Sequence, residues 1–195
     1  MRIIGITGPI GSGKSTVTQI LVKSYAAMVI NADEISRKVV AKGEAAFREV
    51  VDCFGDGVLD GQGELDRKKL ADIVFEDSKK LGLLNNITHK YIVDIILEEI
   101  RKKRAEGAEI LGLECIIPVK HGFMDVAGEV WVVTADRETR IKRIMSRSGL
   151  GFKEAVDRIN SQMNEEEYIK LADKVICNNS GIVELEGKVK ELIKY

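Results

Sequence analysis

The sequence has little of what marks several protein classes. It contains two prolines, Pro9 and Pro118, among 195 residues, which excludes a collagen-like fibre. Its three cysteines, Cys53, Cys115 and Cys177, lie far apart. The odd count and the spacing argue against a disulfide framework and against a zinc site. They fit a reducing, cytoplasmic compartment. Net charge is nearly absent, since 30 basic residues face 31 acidic ones and leave −1. A general nucleic-acid binder carries a basic excess, so no nucleic-acid partner is expected. The longest stretch without a charged residue, Ile3 to Gly13, is interrupted by glycines. A membrane-spanning helix needs about 20 apolar residues, so no membrane segment is expected. The opening residues also lack the ordered charged, apolar and cleavage regions of a secretory signal. No repeat, low-complexity tract or interdomain linker breaks the chain.

What is present is ordinary globular composition, 45% hydrophobic and 31% charged. The length suits one domain, with room for a subdomain. Arg2 to Thr7, Ala27 to Ile30, Ile110 to Leu113, Val130 to Val133 and Val175 to Cys177 read as short buried strands. Helical spacing dominates between the second and third of them, to about residue 106, with a Gly- and Asp-rich loop at 55–63. Further helices are expected over 15–25, 137–147 and 182–193. Wholly apolar strands separated by helices predict a parallel sheet covered on both faces. The long helical insertion reads as a small subdomain. Trp131 is expected in the core and Cys177 in a buried strand.

One segment carries chemistry. Gly8-Pro9-Ile10-Gly11-Ser12-Gly13-Lys14-Ser15 fits G-x-x-x-x-G-K-[ST] and lies between an apolar strand and a helix, as the phosphate-binding mechanism requires. The glycines let the backbone curl so that successive N–H groups face phosphate oxygens. The helix start adds its positive dipole end. Lys14 can reach β- and γ-phosphates, and the Ser15 hydroxyl can hold Mg²⁺. An ordinary Gly-rich turn would leave Lys14 and Ser15 without a role. A dinucleotide site would use Gly11 and Gly13 with Asp33, twenty residues beyond Gly13, but Thr16 stands where its third glycine belongs.

Asp33 follows the second strand, where ligands of open parallel sheets bind. It suits a general base for an attacking hydroxyl, or an N-cap for a helix starting near Glu34. Arg140, Arg143 and Arg147 recur on one helix face. Such a face is either simply solvated or part of a lid that brings guanidinium groups to a phosphoryl group and shuts out water.

At this point the chain resembles the dephospho-coenzyme A kinase family over nearly its whole length. Ile6 to Thr16 is similar to that family's phosphate loop, and Ala32-Asp33-Glu34-Ile35-Ser36-Arg37 to its D-A-D-x-I-x-R segment, with Asn31 at the first Asp. Phe54-Gly55, Gly63 to Arg67, Leu70, Val74-Phe75, Leu84-Asn85 and Thr88-His89 follow its spacing. Glu138-Thr139, Lys142-Arg143 and Arg147 resemble its lid. Arg158-Ile159, Ser161-Gln162-Met163, Ala172-Asp173, Val175-Ile176 and Asn178-Asn179 resemble its C-terminal block.

The resemblance implies an α/β P-loop kinase fold: a five-stranded parallel sheet flanked by helices, with a helical substrate subdomain and a lid. The core would comprise about 1–33 and 107–195, the insertion about 34–106 and the lid about 137–165. It implies transfer of the ATP γ-phosphoryl to the ribose 3′-hydroxyl of dephospho-coenzyme A, the last step of coenzyme A synthesis, with ATP and Mg²⁺ required. Asp33 would be the general base, and Lys14 and Arg143 would stabilise the transferring group. ATP would lie on residues Gly8 to Thr16 with Arg147 and Asn178, and Mg²⁺ on Ser15. Asp33, Arg37, Arg67 and His89 would face the acceptor. Small-molecule substrates and a monomer or weak homo-oligomer are expected.

Four departures from the family pattern stand out. Lys90 follows His89 where proline is usual. Ile116-Ile117-Pro118-Val119-Lys120 replaces a P-L-L-F-E segment. Tyr168 stands at a commonly basic position, and Ser180 at a common glycine. Glu114, ending the third strand, is either an acidic group near Mg²⁺ or a solvent-exposed strand end. His89 is expected just after a helix. A related kinase of another small hydroxyl or nucleotide acceptor, or an inactive ATP-binding paralogue, are the alternatives.

Overall fold

The structure is a computed structural model and describes residues 1–194. The chain divides into two compact units, Ala32–Glu99 and the remainder.

The larger unit is built on a five-stranded sheet. Its strands are β1 (Arg2–Thr7), β2 (Met28–Asn31), β3 (Ile110–Glu114), β4 (Glu129–Thr134) and β5 (Lys174–Cys177). All neighbours pair in parallel, in the order β2-β3-β1-β4-β5. β1 is therefore central, and the chain turns to opposite sides of it on leaving β1 and on leaving β3. Such a reversal opens a crevice at the carboxyl ends of the strands. β1 is buried from Ile3 to Thr7 because both its faces are covered. On one face Ile4, Ile6, Trp131, Val133 and Ile176 pack against Val17, Ile20 and Leu21 of α1 (Lys14–Tyr25) and Leu185 and Val189 of the last helix. On the other, Gly5 lies so close to Phe123 that a Cβ there would sit 3.0 Å from the ring. Trp131 is fully buried, and its indole N–H donates to Glu129, 3.0 Å away. Each such fully buried side chain contributes about 1.5–3 kcal/mol.

The smaller unit is helical: α2 (Ala32–Lys38), α3 (Ala45–Phe54), α4 (Arg67–Phe75) and most of α5 (Ser78–Ala105). Val50, Val58, Leu70, Val74 and Ile87 form its own core. The loop between α3 and α4 is tied by a bridge between Leu59 and Leu65, and Asp66 caps α4 by accepting from Lys68 and Lys69 N–H.

The larger unit continues with α6 (Arg137–Ser148), α7 (Phe152–Asn160), α8 (Glu165–Ile169) and α9 (Ile182–Ile193). α6 and α7 share a separate apolar cluster of Ile141, Ile144, Ala155 and Ile159.

Three expectations are corrected. Cys177 is exposed, not buried, and Val175 is 48% exposed. β5 is one of the sheet's two edge strands, and of its residues only Ile176 turns into the core. Asp33 is not an N-cap, because α2 already begins at Ala32; it lies in the first helical turn, where a carboxylate complements the dipole. His89 does not follow a helix; it lies within α5 and is exposed. Among the described residues, no helix is long and apolar enough to cross a membrane.

Candidate active site

The phosphate-loop sequence forms the connection between β1 and α1, at the carboxyl end of the central strand. Glycine is required at three of its positions by positive φ and by close neighbours. A Cβ on Gly8 (φ 140°) would lie 2.1 Å from the Val133 carbonyl oxygen. One on Gly11 (φ 79°) would lie 2.8 Å from the Arg140 carbonyl oxygen, and one on Gly13 (φ 97°) 2.1 Å from the Asn178 side chain.

The loop is held from outside by its carbonyls. Arg140 Nε donates to Ile10 O at 2.9 Å. Arg143 donates to Gly11 O at 3.3 Å, to Ser12 O at 3.2 Å and to Asn178 O at 3.0 Å. Asn178 Nδ2 donates to Ser12 O at 2.8 Å. In a trans peptide the C=O and the following N–H point in opposite directions. Drawing the Ile10, Gly11 and Ser12 carbonyls outward therefore turns the Gly11, Ser12 and Gly13 N–H groups to the other side of the loop. The Ser12 N–H meets Pro9 O at 3.3 Å. The Gly11 and Gly13 N–H groups are thus the ones this arrangement presents to an anion, as phosphate binding requires.

Lys14 is 6% exposed and donates through Nζ to Gly8 O at 2.8 Å and Pro9 O at 3.3 Å. Ser12 is fully buried, and its Oγ has no hydrogen-bond partner within the described residues. A buried polar atom left so costs about 1–3 kcal/mol, which a ligand oxygen would offset.

At the end of β3, Glu114 lies in register with Ile6, the residue before the loop's approach. It is 5% exposed, so the solvent-exposed reading of this strand end fails. Its two oxygens each accept a hydroxyl from α1, Oε1 from Ser15 and Oε2 from Thr18, both at 3.0 Å. Ser15 itself remains exposed. A hydroxyl and a carboxylate side by side are hard oxygen donors, which suit Mg²⁺. Among the described residues no group of three or more His, Cys, Asp and Glu could hold a metal. Mg²⁺ is usually bound through one or two carboxylates and phosphates rather than by an all-protein cage.

The arginine face of α6 is not simply solvated. Arg140 is 6% exposed, and burial lowers its pKa from the ordinary value, opposed by nearby Glu165 and reinforced by Arg137. It stays cationic, since arginine is effectively always protonated. Arg143 is half-buried and Arg147 exposed.

The smaller unit holds the other candidates. Asp33 is half-buried on α2, and Ser36 Oγ donates to its backbone carbonyl at 2.8 Å. Arg37, Arg67 and His89 are exposed, with Arg67 donating to Arg37 O at 3.3 Å. Lys90 and Tyr91 both donate to Glu49 on α3, joining α5 to α3. These bonds lower the Glu49 pKa, Lys90 first and Tyr91 second, and raise that of Lys90.

One participant, Thr18, escaped the sequence reading, and two that it named, Gln162 and Tyr168, have contacts it did not foresee. Thr18 lies one helical turn past Ser15 and could have been found by that spacing. Gln162 accepts from the Ile10 N–H at 2.7 Å, with no local signal beyond its place in the Ser161–Met163 segment. Tyr168 is 1% exposed and donates to Ile116 O at 2.8 Å. Two departures from the family pattern, Tyr168 and the 116–120 stretch, thus meet in space.

A parallel sheet of this order, with a phosphate loop on its central strand and arginines of a following helix hydrogen-bonded to that loop, defines a P-loop kinase. Comparison with known proteins narrows the class. The family model for dephospho-CoA kinase matches residues 2–184, and the chain belongs to that family. A dephospho-CoA kinase of Geobacter sulfurreducens is 41% identical over 98% of this chain and 97% of its own. The solved structure of a Thermus thermophilus protein superposes with a TM-score of 0.83 at 33% identity, covering 99% of this chain and 96% of that one. The dephospho-CoA kinase of Campylobacter jejuni gives 0.68 at 28%, covering 100% and 96%.

Proposed function

We propose that this chain transfers the γ-phosphoryl group of ATP to the ribose 3′-hydroxyl of dephospho-coenzyme A, completing coenzyme A synthesis. The observation that carries the reading is the Lys14–Ser15–Glu114 arrangement on a loop whose carbonyls are held outward by Arg140, Arg143 and Asn178. The N–H groups of Gly11 and Gly13 and the start of α1 bind phosphate oxygens. Lys14 and Arg143 bring positive charge to the transferring group, which develops little covalent bonding and is stabilised mainly by electrostatics. Ser15 and Glu114 are the residues that would hold Mg²⁺. When bound, that ion neutralises charge on the β- and γ-phosphates.

Asp33 is the group we assign as base. Only Ala32 separates it in sequence from the end of β2. The 3′-oxygen attacks the γ-phosphorus, the bond from that phosphorus to the β–γ bridging oxygen breaks, ADP leaves, and Asp33 takes the hydroxyl proton. Arg37, Arg67 and His89 of the helical unit recognise the acceptor, whose pyrophosphate suits guanidinium groups. Residues 137–165 act as the lid, with Arg147 turned to ATP. The protein works in the cytoplasm, as a monomer or weak homo-oligomer.

The test is mass spectrometry of dephospho-coenzyme A after incubation with the protein, Mg²⁺ and ATP. A gain of one phosphoryl group, greatly slowed by Asp33→Asn, supports the reading. An unchanged acceptor, with ATP consumed on another hydroxyl compound, would overturn it.

A further inference from the structure

The peptide between Pro9 and Ile10 is held on both of its sides. Its N–H donates to Gln162 Oε1 at 2.7 Å, and its C=O accepts from Lys14 Nζ at 3.3 Å. Because a trans peptide points these groups in opposite directions, fixing one orients the other. Gln162 follows α7, and the Ile10 side chain packs on the cluster that joins α6 to α7. The adjacent carbonyl, Ile10 O, is held by Arg140 of α6. Ile10 is therefore fastened to the α6–α7 segment through its N–H, its C=O and its side chain. Pro9 adds stiffness, since its ring fixes φ.

We propose that Gln162 is a positioning residue for the phosphoryl-transfer reaction: it sets the direction of the Pro9 carbonyl and so the place of the Lys14 ammonium. The inference rests on the ATP reading of the loop given above. Gln162 touches neither substrate; it acts through Lys14, and it ties the arrangement of the lid segment to the state of the cradle. With Gln162 unable to accept, the Pro9–Ile10 peptide loses the bond that fixes its N–H side, and the Pro9 carbonyl, still met by the Ser12 N–H, is less firmly aimed at Lys14 Nζ.

The experiment labels the protein with an amine-reactive acylating reagent and reads each lysine by peptide mass spectrometry. The variant is Gln162→Met, which keeps side-chain length and removes the acceptor. We expect Lys14 to be acylated about threefold to tenfold faster than in wild type, the scale of one lost hydrogen bond. Lys188, whose Nζ donates to Cys177 O at 2.8 Å in the same unit, should be unchanged, and the Kd for Mg-ATP should rise by a similar factor. Unchanged Lys14 labelling overturns the proposal. So does a parallel rise at Lys188, which would report general loosening. Gln162→Ala, with a melting curve, carries the same test if the methionine variant folds poorly. Should the wild type fail to phosphorylate dephospho-coenzyme A while Lys14 labelling responds as expected, the acceptor assignment falls and the role of Gln162 stands.

Discussion

The phosphate-loop unit and the helical unit differ in how they hold several of their chemistry-bearing side chains. In the first, Lys14, Glu114, Arg140 and Asn178 are all at least nine-tenths buried and hydrogen-bonded to the loop or its helix. In the second, Arg37, Arg67 and His89 are exposed on helices around a small core of their own. The difference teaches what each half of the proposed reaction demands. Stabilising a transferring phosphoryl group needs donors already in place, because reorienting them during the reaction costs free energy. Recognising a long, flexible acceptor needs long cationic side chains that can adapt to it.

Four substitutions break or sharpen that contrast, in descending order of expected effect. Asp33→Asn should lower kcat about 10²–10⁴-fold and leave the Kd for ATP near the wild-type value; steady-state kinetics with ATP titration checks both. Arg143→Ala removes a cation that holds carbonyls from two elements. It should cost about tenfold to a hundredfold in kcat/KM for ATP, the scale of lost charge-assisted bonds. Glu114→Gln should raise the Mg²⁺ concentration for half-maximal rate about tenfold while the fold survives, read from a Mg²⁺ titration beside a melting curve. Arg67→Ala should raise the acceptor KM about threefold to tenfold and leave the ATP KM alone. A shift in the ATP KM there would erase the division between the two units.

The smallest effect belongs to the exposed Glu49–Lys90 pair. Glu49 has a lowered carboxyl pKa, so its contribution is present above the unfolded carboxylate pKa and is lost as pH falls through the folded one. Lys90 has a raised pKa, so its contribution is lost only at strongly alkaline pH. Glu49→Gln should therefore lower Tm slightly at pH 7, and by progressively less as the pH falls through the lowered carboxyl pKa, in paired thermal melts.

The sheet was legible because its strands are short apolar runs, and the phosphate loop because its glycines, lysine and serine are fixed by local geometry. Edge position was not legible: Val175-Ile176-Cys177 reads as buried, and only the strand order exposes two of the three. The helix face 140–143–147 announced its cations but not their targets, since Ile10 O and Ser12 O lie more than a hundred residues away in sequence. Gln162 was hidden for the same reason: a neutral amide accepting from a distant backbone N–H leaves no periodic signature. Glu114 could be named as a candidate but not decided, because burial and the Ser15 and Thr18 bonds arise only when β3 pairs with β1.

The most direct test of the contrast is a pair of calorimetric titrations, Mg-ATP and dephospho-coenzyme A separately, on wild type and on Lys14→Ala. If the buried loop serves the donor and the exposed helical cations serve the acceptor, Lys14→Ala should weaken ATP binding at least about tenfold. The Kd for dephospho-coenzyme A should stay within about twofold of wild type. Loss of acceptor binding in Lys14→Ala, with ATP binding retained, would contradict it.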